Sequence, residues 1–158
     1  MKKILNLGVI GIDHGHIFDM LDEMIKEGCS CNYFWTDGDP LTLQEFNKKY
    51  PNIKRKENKD EILNDLSIDM ILISSIPKNR ADHSIDALKA GKDVMVDKPG
   101  CTTLDQLNQI KQTVKETGKI WSVNFSERFH VAAVTKAEDL IKEGKIGNVK
   151  QTIGTGPH

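Results

Sequence analysis

Glycine, histidine and carboxylate crowd one short stretch of the chain, GVIGIDHGHI at residues 8–17. A glycine-rich turn between a strand and a helix sets backbone N–H groups and the positive helix end against a phosphate. Gly11, Asp13, His14, Gly15 and His16 are therefore candidate contacts for the pyrophosphate of a dinucleotide. The spacing departs from the dinucleotide fingerprint. Its first glycine falls on Gly11, its second on Asp13 and its third on His16, with Gly15 displaced by one place. Asp13 would bring bulk and negative charge to the point where phosphate approaches the backbone. The alternative is that Asp13 caps the helix and the histidines face solvent.

The same residue types allow metal chemistry. Asp13, His14 and His16 are all ligands by type, and a strand-borne His-x-His is a familiar start of a metal-dependent hydrolase. Such sites read Asp-x-His-x-His rather than the Asp-His-x-His found here, and His83 falls in a helical stretch rather than after a strand. The expectation is therefore no metal. Asp37 follows Gly11 by 26 residues, at the tip of the second strand, where a carboxylate accepts hydrogen bonds from an adenosine ribose diol. That favours NAD over NADP. The basic run Lys54, Arg55, Lys56 keeps NADP open, and a plain turn role for Asp37 in TDGDP stands beside the ribose role.

Strand and helix patterns alternate along the whole chain, the signature of a parallel sheet wrapped by helices. Strands are expected at Ile4–Ile10, Asn32–Thr36, near Ile53, Met70–Ile73, Val94–Val96 and Ile120–Val123. Met70–Ile73 is apolar without alternation, as a central strand covered on both faces should be. Between them, Ile17, Met20, Leu21, Met24 and Ile25 share one helical face before Gly28. Asp39 with Pro40 reads as the start of a helix that turns Leu43, Phe46 and Tyr50 inward. Asn58 with Glu61 reads as a capping box before Ile62, Leu63 and Leu66, and Thr103 with Gln106 as another before Leu107, Ile110 and Val114. A last helix, about Val131–Glu143, uses Val134, Ala137 and Ile141, and Asn148–Ile153 begins a further strand. The expected fold is α/β, a doubly wound parallel sheet of Rossmann type. Residues 1–124 form it, and 125–158 supply only the first helix and strand of an incomplete second, α+β domain. In such sheets a ligand lies beyond the carboxyl ends of the strands, which singles out the loops SSIPKNR and DKPG as well.

Composition excludes several functions. The 158 residues carry 22 basic and 23 acidic side chains, so no net field attracts nucleic acid or an anionic membrane. Three cysteines, two of them only two residues apart, make no disulfide framework and suit a reducing compartment, so a cytoplasmic protein is expected. The apolar run after Lys2 and Lys3 is short, broken by Asn6 and ended by Asp13, and reads as a strand rather than a signal peptide.

A strand ending VMVDKPG, preceded by a helix ending ALKAGK and followed by TTLDQL, resembles the Gfo/Idh/MocA family of sugar and inositol dehydrogenases. The resemblance continues through NFSERFH and LIKEGKIGNV and so covers essentially the whole chain. It implies that Asp97, Lys98 and Pro99 correspond to the family's Glu-Lys-Pro motif, with Lys98 the catalytic residue beside nicotinamide and substrate and the Lys98–Pro99 bond cis. It also implies that Ser74, Ser75, Pro77, Asp97 and Arg128 line the cofactor, while Arg80 stands where relatives carry a histidine. Cys101, close to DKPG, reads as a small packed thiol rather than a nucleophile. The implied activity is NAD(P)-dependent hydride transfer on a sugar, polyol or related small molecule, in a parent that forms homo-oligomers. The family's acid–base aspartate and histidine belong to its second domain, so the chain by itself is expected to be catalytically silent. The rival reading is a non-catalytic Rossmann-like scaffold or sensor that has lost dinucleotide binding, with Asp13 as its motive.

Overall fold

In a computed structural model of the chain, residues 4–126, 128 and 131–154 are described. Six strands form one parallel sheet: β1 (Asn6–Ile10), β2 (Ser30–Trp35), β3 (Lys54–Arg55), β4 (Met70–Ile73), β5 (Asp93–Asp97) and β6 (Trp121–Asn124). Their order is β3-β2-β1-β4-β5-β6, so the chain reverses direction across the sheet between β1 and β4. The helices are α1 (His16–Lys26), α2 (Leu43–Lys49), α3 (Lys59–Leu63), α4 (Pro77–Lys89), α5 (Leu104–Thr117) and α6 (Ala132–Lys142). Rossmann-type winding, expected from the alternation, is what forms.

Strand alternation divides the core between two faces. Leu7, Val9, Met70 and Leu72 pack with Ile17, Met20, Leu21, Phe34 and Phe46 on one side. Ile10, Ile71, Ile73, Val94 and Val96 pack with Ile62, Leu63, Ala87 and Leu88 on the other. β4 is buried along its whole length, which is why its sequence needs no polar alternation. Gly8 lies in the interior of β1, where a Cβ would come within 2.6 Å of Ile62 Cγ2, so its lack of a side chain lets α3 approach the sheet.

Local signals failed in four places. α2 starts at Leu43 rather than at Pro40, because Thr42 donates its hydroxyl to the Ile12 carbonyl and the segment is tied down there. α3 keeps its Asn58–Glu61 capping box but ends at Leu63, leaving Leu66 in a turn at 95% exposure. Ile25 falls at the edge of the α1 stripe and is exposed, and α5 buries Ile110 and Thr113 while Leu107 and Val114 are only half-buried.

Two compact units divide the chain, residues 1–124 and 125–158. In the second, α6 forms as expected, with Val134 and Ile141 exposed. The expected strand at 148–153 does not form, since a strand needs a neighbouring backbone to bond and the described residues offer it none. In the NFSERFH motif, Glu127, Phe129 and His130 lie outside the described residues. Among the described residues no helix is long and apolar enough to cross a membrane.

Candidate functional site

The loops after β1, β2, β4 and β5 meet along one rim, at the carboxyl ends of the strands. Gly11 has φ of 76°, and a Cβ there would lie 2.4 Å from Ser75 Cβ, so both conformation and crowding require glycine. Its N–H donates to the Trp35 carbonyl at 2.7 Å and its carbonyl accepts from Ser74 N–H at 3.2 Å, which stitches three loops together. Gly15, at the start of α1, meets nothing within 4 Å of a built Cβ, so the helix end is open to an approaching group.

Ser74 is fully buried, and its hydroxyl donates to the His14 carbonyl at 3.1 Å, while His14 N–H donates to the Ser74 carbonyl at 3.2 Å. It therefore shapes the first turn rather than facing open space. Ser75 Oγ lies 3.2 Å from His83 Nδ1, on a helix as expected. Pro77 is the first residue of α4, where its missing N–H costs nothing.

Asp13 does not cap α1. It lies with Gly11, Trp35, Asp37, Ser75, Ile76, Asn79 and His83 around a cavity of about 50 Å³. Burial raises its pKa above the usual 3.8, and the nearby Asp37 charge adds to this, against hydrogen bonds from its own N–H and that of Ile76. Asp37 is exposed at the mouth of this cavity. Beside it, Arg55 pairs with Asp39 at 2.8 Å and donates to the carbonyls of Thr36 and Gly38, holding the β2 loop closed.

At the other end of the rim the organising group is Asp97, which is fully buried. One carboxylate oxygen lies 2.8 Å from His16 Nδ1; the other lies 2.9 Å from Arg80 Nη2 and 3.2 Å from His14 Nδ1. Among the described residues, the group of metal-ligand type is His14, His16 and Asp97; Asp13, weighed with the two histidines in the alternative metal reading, is not in it. His14 has its pKa lowered by burial, with His16, Arg80 and Lys98 opposing protonation and Asp97 favouring it, so it is neutral near pH 7.

Arg80 is the residue that motif reading undervalued. Only 2% exposed, it donates to the Ser75 carbonyl at 2.7 Å, to the Asp97 carbonyl at 3.0 Å, to the Lys98 carbonyl and to the Asp97 carboxylate. It fixes the turn that presents Lys98, whose bond to Pro99 is cis as the resemblance implied. A signal existed: Arg80, Ser84, Ala87 and Leu88 share one face of α4, and a charge on an otherwise small and apolar stripe needs a buried partner. Arg128 pairs with Glu138 inside its own unit.

Comparison with known proteins decides the family. The model of the oxidoreductase family with an NAD-binding Rossmann fold, GFO_IDH_MocA, matches residues 36–125. The chain belongs to this family. It is similar to the NAD⁺-dependent scyllo-inositol 2-dehydrogenase of Bacillus subtilis, 33% identical over 70% of this chain and 32% of that protein. It is also similar to the NADP⁺-dependent scyllo-inositol 2-dehydrogenase IolW of the same organism, 25% identical over 92% of this chain and 38% of that one. The chain thus spans 32–38% of the length of these two relatives. Among solved structures, an Erwinia carotovora atroseptica protein classed as an oxidoreductase is 33% identical with a TM-score of 0.87, covering 92% of this chain and 43% of that one. The WlbA dehydrogenase of Bordetella pertussis, solved with NADH and UDP-GlcNAcA, has a TM-score of 0.78 at 16% identity over 92% of this chain and 44% of its own, which speaks to the fold alone.

Proposed function

We propose that this NAD-binding domain serves a dehydrogenase of a sugar, polyol or related small molecule, with the dinucleotide laid along the rim from Asp37 to Lys98. The observation that carries the reading is the join between Asp97 and the first turn, which sets Lys98 at the opposite end of the rim from Asp37. The residues suit the cofactor at three points: Gly11 is compact where backbone must come close, Gly15 leaves the α1 terminus open, and Asp37 is exposed to accept from ribose hydroxyls. Bound nicotinamide supplies or takes the hydride. The Lys98 ammonium hydrogen-bonds the reacting oxygen and stabilises negative charge as it develops there. Asp13 and Asp37 together disfavour a ribose phosphate, so NADH is the better ligand. In the wider protein, as the family resemblance implies, acid–base partners come from the part of the relatives that this chain does not match. The 158 residues alone bind cofactor without turnover, and the soluble parent is a homo-oligomer of the cytoplasm.

Titration of the chain with NADH, read by nicotinamide fluorescence, should saturate, and Lys98→Ala in a full-length enzyme should abolish turnover while keeping that binding. Absence of saturation at millimolar NADH would refute the reading. Asp13 supports a second reading, a scaffold that no longer binds dinucleotide. It predicts that Asp13→Gly creates an NADH affinity absent from the unsubstituted chain.

A further inference from the structure

His14 and His16 turn their Nδ1 atoms toward one carboxylate from a single turn of backbone, and the candidate ligand atoms of His14, His16 and Asp97 all lie within 4.8 Å of one another. The contact between His14 Nδ1 and Asp97 Oδ2, at 3.2 Å, is not aligned as a hydrogen bond. That nitrogen faces the backbone N–H of His16 at 3.4 Å, an arrangement that calls for a lone pair on Nδ1. An imidazole lone pair and a carboxylate oxygen at such a separation repel unless positive charge lies between them.

Zinc-type geometry accounts for this. Metal bonds of about 2.0–2.1 Å in a tetrahedron place neighbouring ligand atoms about 3.3 Å apart, each aimed at the metal rather than at its neighbour. The two imidazoles approach different oxygens of one carboxylate, His14 Nδ1 at 3.2 Å from Oδ2 and His16 Nδ1 at 2.8 Å from Oδ1, and a bound metal would draw ligand atoms that now lie within 4.8 Å of one another to that separation. Arg80 holds Asp97 Oδ2 from the protein side at 2.9 Å, the supporting role that orients a ligating carboxylate. His14 is 52% exposed, which leaves a path from solvent. Two imidazoles and one carboxylate suit zinc, cobalt or nickel rather than the oxygen-seeking calcium or magnesium.

We propose that His14, His16 and Asp97 form a site for a divalent transition metal of the zinc class, with a fourth position open to water or an incoming ligand. The proposal goes beyond dinucleotide binding and does not depend on it. The Arg80 and Lys98 charges oppose a cation here while Asp13, on the same turn, favours one, so micromolar rather than nanomolar affinity is expected.

The test is titration of the chelator-treated 158-residue chain with Co²⁺ in the absence of dinucleotide, read by its visible ligand-field absorption, with Zn²⁺ as competitor. One cobalt per chain, displaced by zinc, is expected, and His14→Ala and His16→Ala should each weaken binding about tenfold or more with the circular dichroism of the folded chain kept; His16→Ala also removes a partner of buried Asp97 and should lower the melting temperature, whereas His14→Ala should not. Asp97→Asn also disturbs the pair with Arg80, so the two histidine variants decide the matter. No saturable absorption at millimolar cobalt, or binding that both variants retain, would overturn the proposal. NADH titration in the presence of chelator keeps failure here separate from failure of the dinucleotide reading.

Discussion

Two aspartate–arginine pairs mark the two ends of the rim, and they are nearly identical in length. Arg80 and Asp97 are 2.9 Å apart with side chains 2% and 0% exposed; Arg55 and Asp39 are 2.8 Å apart with side chains 38% and 79% exposed. Distance alone would rank them equal. Water separates them, because a buried charge that loses its partner has no solvent to turn to, whereas an exposed one is rehydrated at once. The nicotinamide end of the proposed site is therefore held by a structure-forming pair. The ribose end is held by a pair that can be exchanged with little effect on the fold.

The sharpest way to break this contrast is Arg80→Met. It leaves the Asp97 carboxylate buried and the carbonyls of Ser75, Asp97 and Lys98 short of a donor. A loss of about 3–5 kcal/mol in urea unfolding is expected. Removing both charges, as in Arg80→Met with Asp97→Leu, should recover a large part of that loss, since much of the cost is the orphaned charge. If the single substitution cost less than about 1 kcal/mol, the buried pair would be no stronger than an exposed one and the comparison would collapse.

Next in size is Gly11→Ala, which tests the stitching between the ends. With φ of 76° and Ser75 backbone within 2.7 Å of the added carbon, the turn cannot accept a side chain without moving. A cost above about 1 kcal/mol is expected, together with loss of NADH affinity. Gly15→Ala, where nothing lies within 4 Å, should leave stability unchanged and report on ligand approach alone.

The alternation of strands and helices was legible because each element carries its own periodicity. β4 in particular declares its place at the centre of the sheet by lacking polar residues. Boundaries were lost where a distant group intervened, as when the Thr42 hydroxyl bonds the Ile12 carbonyl and delays α2. The site was legible as a set of loops but not as a set of contacts. Nothing near Asp97 in the sequence announces His14 and His16, because the join depends on β1 and β5 flanking β4. Nor does the motif around Lys98 reveal that its turn hangs from a guanidinium on α4; that needed the helical phase of Arg80 to be weighed above its charge.

A smaller effect separates carboxylates by pH. Burial pushes the Asp22 pKa up, but hydrogen bonds from Lys49 and Tyr50 and the Lys49 charge outweigh it, so the group lies below 3.8. Asp65 lies below 3.8 as well, held by the Ser67 hydroxyl and N–H. Each contributes stability that is present above pH 3.8 and fades as pH falls through the lower folded value. Melting temperature should therefore decline in that acid window. Asp22→Asn should flatten part of the decline, and an unchanged slope would show that Asp22 takes no part in it.

The smallest expected effect belongs to the exposed end. Arg55→Met should change unfolding free energy by no more than about 1 kcal/mol, and the difference should shrink further in high salt, where the screening length falls to about 3 Å. Its ligand readout should move more than its stability. Arg55 now neutralises Asp39 and holds the Thr36 and Gly38 carbonyls beside Asp37. Without it the β2 loop carries two unopposed carboxylates, so NADPH affinity should fall more than NADH affinity in paired fluorescence titrations. Equal loss for both cofactors would mean that Arg55 shapes the loop without acting on the ribose, and a stability loss matching that of Arg80→Met would mean that exposure does not divide the two ends after all.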